Sequence, residues 1–452
     1  MEKAKGNGMS GKEQVGPLGT PRVSLRRNFS WTFVGNLVYA GSQWLMLALI
    51  AKLGTPAMVG AFAVAQAVTA PIIVFTNLQL REIQATDARG QYQFGEYFST
   101  RILTSLLALV IIGCTATWSQ GSQGDYFLLV MAMGLARVVE SWADILYGYM
   151  QQREALKMVS ISLILKGLGS ILGMITGMAL TGSVLWGTLG MTLAWICVVV
   201  LFDFPQARKA RSHLSDASLS PRWNLVRMKN LVLMACPLGM ATALCSLTAN
   251  YPRYIIEGEL GTAALGIFAA MAALNIAGKR ITDALDQAAI PRLALYCVEG
   301  NRRALVALIW KLLGIGAFLG AGSTVVCWIW GKPIMSHLFT PEYATRLQVL
   351  VLLAIGGGIG FMVNFLMTAM SAMRQFRRQF LIHLVNFLFI ISFAPRFIRH
   401  GNLEGAAWLN IVGGIFQLAV TGLVLVRSLK RMAFSESAGK GAWIPPAVGG
   451  ER

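Results

Sequence analysis

Twelve hydrophobic runs recur along the chain, at 31–51, 57–76, 100–118, 126–148, 159–179, 184–204, 231–254, 262–278, 305–330, 347–371, 380–398 and 405–426. A helix of about 20 residues rises about 30 Å, the thickness of a hydrocarbon core. In hydrocarbon no water satisfies backbone N–H and C=O groups, so each run must be helical throughout its crossing. The runs therefore predict an all-α polytopic membrane protein of about 12 transmembrane helices. Composition agrees: 13% of residues are charged, 55% are hydrophobic and the mean hydropathy is +0.59. A soluble domain carries about 25% charged residues.

The net charge of +19 is organised by these spans. With the N-terminus in the cytoplasm, most Lys and Arg fall on the inner side. The 6–7 connection alone holds Arg208, Lys209, Arg211, Arg222, Arg227 and Lys229, and the 8–9 connection holds Lys279, Arg280, Arg292, Arg302 and Arg303. Lys52, Arg253, Lys332, Arg346, Arg396 and Arg399 fall outside or near it. This asymmetry is the positive-inside rule; it predicts cytoplasmic termini and makes the basic excess a matter of topology, with no nucleic-acid partner. The six cysteines form no CxxC or Cys/His pattern, so neither a disulfide framework nor a metal site is expected. The expected layout is a flexible tail at 1–28, a first lobe at 29–204, a basic inter-lobe loop at 205–230, a second lobe at 231–431 and a tail at 432–452.

An internal repeat relates the lobes. "KLGTPAMVGAFAVAQA" from Lys52 matches "ELGTAALGIFAAMAAL" from Glu259. Leu53-Gly54-Thr55 aligns with Leu260-Gly261-Thr262 and, after one gap, Gly60-Ala61-Phe62 with Gly266-Ile267-Phe268. A second match, from Gly148 and from Ser371, follows spans 4 and 10. Six spans return the chain to its starting side, so the repeats are parallel, related by an axis along the membrane normal. Two such six-helix lobes leave a central cleft that rocking exposes to alternate sides, the build of a transporter.

Six plus six spans, the LGT…G-x-F element after spans 1 and 7, "NYPRYIIEGELG" at 250–261 and "ESWADILYGYMQQRE" at 140–154 resemble the multidrug/oligosaccharidyl-lipid/polysaccharide exporter superfamily. Within it, over about 30–430, the chain is similar to the O-antigen and capsule-type oligosaccharide flippases. That resemblance implies a bacterial inner-membrane protein moving an undecaprenyl-diphosphate-linked sugar unit from the inner to the outer leaflet, for lipopolysaccharide or exopolysaccharide assembly. It implies no cofactor. Its implied partners are the lipid-linked oligosaccharide, membrane lipids, and the polymerase and glycosyltransferases of the same assembly.

Intramembrane polar residues are the candidate chemistry, because a charge at a helix centre costs about 2.5–3.5 kcal/mol on the insertion scale. Span 4 carries Arg137, Glu140 and Asp144 on one face, and Lys166 in span 5 lies near the depth of Glu140. Two pairings compete: Glu140 with Lys166, which leaves Arg137 free for the cleft, or Glu140 with Arg137. Arg253 follows Asn250 and the helix-bending Pro252. Two readings fit it: an interfacial side chain beside Tyr251 and Tyr254, or, as the resemblance implies, a guanidinium facing the cavity to meet a pyrophosphate; Glu257 and Glu259, one and nearly two turns on, are candidate pairing partners. By the repeat, Asn250 corresponds to Gln43 in span 1. Gln66, Asn275, Asn364 and Gln417 are cleft-lining or interhelical candidates. Lys279 and Arg280 close span 8, where they attract either the lipid diphosphate or anionic lipid generally.

Two other functions compete. A cation-coupled drug antiporter of the same superfamily needs a titratable group in the cleft, and the span-4 carboxylates keep it open. A membrane enzyme needs a sizeable extramembrane loop, but the longest outer connection is 331–346 and the four histidines are scattered. "GGGIG" at 356–360 lies within an apolar span and no G-x-x-x-x-G-K-[ST] occurs, so nucleotide binding has no support.

Overall fold

In a computed structural model, residues 25–87, 91–120, 124–153, 155–210, 219–339, 343, 346–373 and 375–437 are described. Residues 1–24 and 438–452 of the two expected tails, and 211–218 of the inter-lobe loop, lie outside them. The first lobe comprises α1 (Leu25–Leu53), α2 (Pro56–Asn77), α3 (Leu80–Thr86), α4 (Phe94–Gln120), α5 (Gly124–Gln152), α6 (Leu156–Thr181), α7 (Val184–Val198), a π-helical turn (Val199–Asp203) and α8 (Phe204–Lys209). The second comprises α9 (Leu225–Leu260), α10 (Thr262–Ala273), α11 (Asn275–Val298), α12 (Arg302–Leu338), α13 (Leu347–Ala372) and α14 (Phe376–Ser437). No strand occurs among the described residues. Helices α1 and α14 reach a few residues into the segments expected as tails.

Among the described residues, ten helical stretches are long and apolar enough to cross a membrane. One of them, Arg377–Lys430, has 54 residues, about 80 Å of helix and enough for two crossings. It breaks at Asn402, where φ is 51° and ψ −136°. The 12 residues of α10 are too few to cross alone, and α11 continues the path after a break at Leu274. The twelve expected spans thus all have helical counterparts. Large apolar side chains such as Leu172, Phe318 and Trp310 stand exposed on the flanks, as lipid-facing residues do.

Local sequence sets the helix starts. The Thr55 hydroxyl accepts from Met58 N–H at 3.4 Å, and Pro56 follows at the first helical position, where its missing N–H costs nothing. Asn224 and Asn301 cap α9 and α12 in the same way. Gly261, at φ 84°, makes the turn into α10 that a side chain would resist.

The repeat marks where the lobes meet. Gly60 of α2 and Gly266 of α10, equivalent by the repeat, lie against each other. A Cβ on Gly60 would stand 1.7 Å from the Thr262 carbonyl oxygen, and one on Gly266 would stand 2.0 Å from that of Pro56. Each glycine thus faces the residue four before its equivalent, so the crossing is two-fold symmetric. Only bare backbone permits so close an approach. The lobes are therefore closed at the end where α1 turns into α2.

At the opposite end the inter-lobe segment is bound to the first lobe. Arg222 N–H donates to the Gly95 carbonyl at 3.0 Å. Arg227 donates to Glu96 Oε1 and to the Gln91 carbonyl, both at 2.9 Å. Helix α9 also follows α2 along its length, through Leu78 against Gly239 and a Tyr254 hydroxyl donating to the Ala67 carbonyl.

Candidate functional site

Helix α5 presents Arg137, Glu140 and Asp144 on one face, and each finds a partner. Arg137 donates to Glu140 Oε2 at 2.7 Å, and the Tyr39 hydroxyl on α1 donates to Glu140 Oε1 at 2.6 Å. Asp144 Oδ1 accepts from Arg81 of α3 at 3.1 Å, with the Arg81 guanidinium 5.5 Å from the Tyr147 ring centroid. Arg137 lies midway along α5. The Arg137 and Glu140 side chains keep 23% and 26% of their exposure. An ion pair open to hydrocarbon at that depth is costly, so a partly exposed pair here favours polar surroundings.

Of the two pairings open to Glu140, the one with Arg137 forms and the one with Lys166 does not. Lys166 Nζ stands 3.8 Å from Asp203 Oδ2, with both side chains essentially fully buried. Its ammonium also lies 4.9 Å from the Tyr147 ring, and the Tyr147 hydroxyl shares a 2.6 Å hydrogen bond with Ser162. The physical reason is local backbone: the π turn at Val199–Asp203 brings Asp203 onto α6, and this carboxylate takes the lysine. Glu140 is left to its neighbour on α5 and to Tyr39. Asp203, Arg81 and Tyr39 were missed by sequence reasoning. Arg81 falls in the connection after the span 57–76 and Asp203 at the end of the span 184–204, and a tyrosine in an apolar run carries no signal of its own.

The second lobe differs. Arg253 on α9, half-buried, donates to Asn250 Oδ1 at 3.1 Å. Asn250 in turn donates to the Ser246 carbonyl at 2.8 Å. Among the described residues no carboxylate lies within 4 Å of Arg253. The nearby Glu259 is taken by Arg399 at 2.7 Å. Arg253 is therefore a guanidinium positioned by a neutral amide, with its charge uncompensated at close range.

The other candidates separate by partner. Gln43, one turn beyond Tyr39, is half-buried and its Nε2 has no hydrogen-bond partner among the described residues. Gln66 is half-buried on α2. Asn275 donates to the Leu353 carbonyl at 2.9 Å and packs on Gly357 of the GGGIG stretch, so it joins α11 to α13. Lys279 and Arg280 are exposed and flank Asp283, at 3.0 and 3.9 Å. Asn364 donates to the buried Asp286, and Gln417 accepts from Asn386 at 3.0 Å.

The fold is that of known transporters. It superposes on the MATE multidrug transporter DinF-BH in complex with R6G with a TM-score of 0.67, at 12% identity, over 96% of this chain and 100% of that one. A point mutant of the Vibrio cholerae MATE transporter VcmN gives 0.62 at 14% identity, over 90% and 98%. A MOP superfamily transporter from Pyrococcus furiosus gives 0.60 at 14% identity, over 91% and 96%. In sequence the chain is 28% identical to the capsular polysaccharide biosynthesis protein CapF of Staphylococcus aureus over 386 residues, 84% of this chain and 94% of that protein. Residues 25–296 match the model of the polysaccharide biosynthesis protein family. With that match spanning more than half its length, this multi-pass membrane protein belongs to the polysaccharide biosynthesis protein family.

Proposed function

We propose that the chain is an exporter that flips a lipid-diphosphate-linked oligosaccharide across the bacterial inner membrane by alternating access, with both termini cytoplasmic. The observation that carries this reading is Arg253: a half-buried guanidinium, held by Asn250 and with no carboxylate within 4 Å among the described residues, calls for an anionic ligand. A diphosphate supplies it, because planar guanidinium donors match phosphate oxygens in pairs. The family match and the CapF relative support a polysaccharide precursor as the cargo. Closure at the Gly60–Gly266 crossing, with the positive-inside assignment, corresponds to a cleft open to the cytoplasm, where such a precursor is loaded. Moving its negative charge outward runs with an inside-negative potential, worth about 2.3 kcal/mol per charge per 100 mV.

The test is flipping of an undecaprenyl-diphosphate oligosaccharide in reconstituted vesicles by wild type, Arg253→Lys and Arg253→Ala. A charge-assisted hydrogen bond contributes about 1.5–3 kcal/mol, so Arg253→Ala should slow flipping about tenfold or more, with Arg253→Lys between. A wild type that flips nothing but expels organic cations would replace this reading with the cation-coupled antiporter, and Glu140 and Asp144 would then be its residues to test.

A further inference from the structure

The two lobes carry equivalent amides in unequal states. Asn250 has both ends of its amide engaged, by Arg253 and by Ser246. Its counterpart Gln43 has a buried Nε2 with no acceptor among the described residues. Across from it on α5, Arg137 keeps a buried Nε that is also without an acceptor. The Tyr39–Glu140 hydrogen bond fixes the level of α1 against α5. Gln43 lies one turn from Tyr39, and Arg137 one turn from Glu140, toward the same end of these antiparallel helices. The unused donors therefore sit at one level of the same wall.

The charge of that wall is already settled. Both Glu140 oxygens are occupied, one by Tyr39 and one by Arg137, and the Arg137 charge is neutralised in the same contact. What remains is a pair of donors with no net charge behind them. An anion gains little from a neutralised guanidinium, whereas a neutral oxygen acceptor can satisfy donors that burial otherwise leaves orphaned. Arg137 and Glu140 keep 23% and 26% of their side-chain exposure, so a ligand reaches the wall through them, and the buried Gln43 Nε2 and Arg137 Nε meet it on a side-chain rotation.

We propose that Tyr39, Gln43, Arg137 and Glu140 form a sugar-binding subsite on the first lobe, which takes uncharged hydroxyl or acetamido oxygens, apart from the diphosphate anchor at Arg253. This rests on the flippase reading and divides its ligand between the lobes. Gln43 and Arg137 supply the donors; Tyr39 is a positioning residue that holds Glu140, and through it Arg137.

The experiment compares binding of two probes to the full chain in lipid nanodiscs: undecaprenyl diphosphate, and the same lipid carrying one N-acetylhexosamine. Wild type should bind the sugar-bearing probe more tightly. Gln43→Leu should weaken that probe about fivefold to tenfold, the effect of one lost hydrogen bond, and leave the sugar-free probe unchanged. Tyr39→Phe should show the same selectivity, and Arg253→Ala should weaken both probes alike. Gln43→Leu removes an unsatisfied donor, so its thermal stability should not fall; if that variant fails to fold, Tyr39→Phe decides. Equal weakening of both probes by these first-lobe variants, or no weakening of either, overturns the subsite. So does a wild type that binds the two probes equally, and that result leaves the flippase reading standing. A wild type that binds neither probe overturns both.

Discussion

A single methyl group at position 60 should alter which way the transporter faces. The Cβ of Gly60→Ala would lie 1.7 Å from the Thr262 carbonyl oxygen, whereas real Cβ contacts essentially never fall under 3.0 Å. Helices α2 and α10 must therefore part locally by about 1.5 Å, and the obstacle is backbone, which no rotamer change relieves. Overpacking of a tight contact costs about 1–3 kcal/mol. That cost falls only on the state in which the lobes touch, so the equilibrium should move about 5-fold to 160-fold away from closure at this end. Spin labels on Lys52→Cys and Gly258→Cys, exposed positions at that end of each lobe, report the change by double electron–electron resonance with the native cysteines replaced. The distance distribution should lengthen in Gly60→Ala and in Gly266→Ala, whose Cβ would stand 2.0 Å from the Pro56 oxygen. Gly41→Ala, with nothing within 4 Å of its Cβ, should leave it unchanged. Folded Gly60→Ala with the wild-type distribution would refute the idea that this crossing holds the lobes shut.

Other consequences concern stability. Lys166→Met should cost about 3–5 kcal/mol, because it strands the buried Asp203, and Lys166→Met/Asp203→Leu should recover most of that loss in thermal unfolding in detergent. A single variant as stable as wild type would show that the pair contributes nothing. Asn402→Gly should raise the unfolding temperature, since φ 51°, ψ −136° strains a side-chain-bearing residue by about 1–3 kcal/mol and glycine adopts it freely. An unchanged or lower temperature would mean that the Asn402 side chain offsets that strain.

Much of this architecture is legible in the sequence because the bilayer enforces it. Spans 380–398 and 405–426 read as two helices from hydropathy alone, and the Asn402 break keeps them two. The match of Gly60 with Gly266 reads as a relation between lobes; that the two glycines touch is a fact of packing that no repeat states. The face shared by Arg137, Glu140 and Asp144 follows from helical spacing, but their partners do not. Asp203 carries no signal as a partner of Lys166, because the π turn at Val199–Asp203 that sets its direction departs from the regular 3.6-residue period. Arg81 sits on α3, a seven-residue helix too short for hydropathy to register, so its bond to Asp144 is invisible before folding. Asn275, read as either cleft lining or interhelical glue, donates to the Leu353 carbonyl of α13, a contact that hydropathy does not predict.

Why a duplicated scaffold should carry unequal polar residues follows from the ligand proposed for it. The closing surface must fit itself, and at Gly60 and Gly266 the two halves have kept the same small residue and the same offset. The walls behind that surface face a cargo that is charged at one part and neutral at the next, so symmetry there brings no advantage. In the first lobe Arg137 is paired with Glu140, Arg81 with Asp144 and Lys166 with Asp203, which leaves hydrogen-bond donors without net charge. In the second lobe the repeat position of Gln43 holds Asn250, whose amide orients Arg253 and leaves its charge uncancelled at close range. In the proposed division the diphosphate interacts with one lobe and the sugar with the other. Rocking the lobes apart separates two partial sites, neither of which need bind tightly alone, and this lets a ligand gripped in the closed cleft leave the open one.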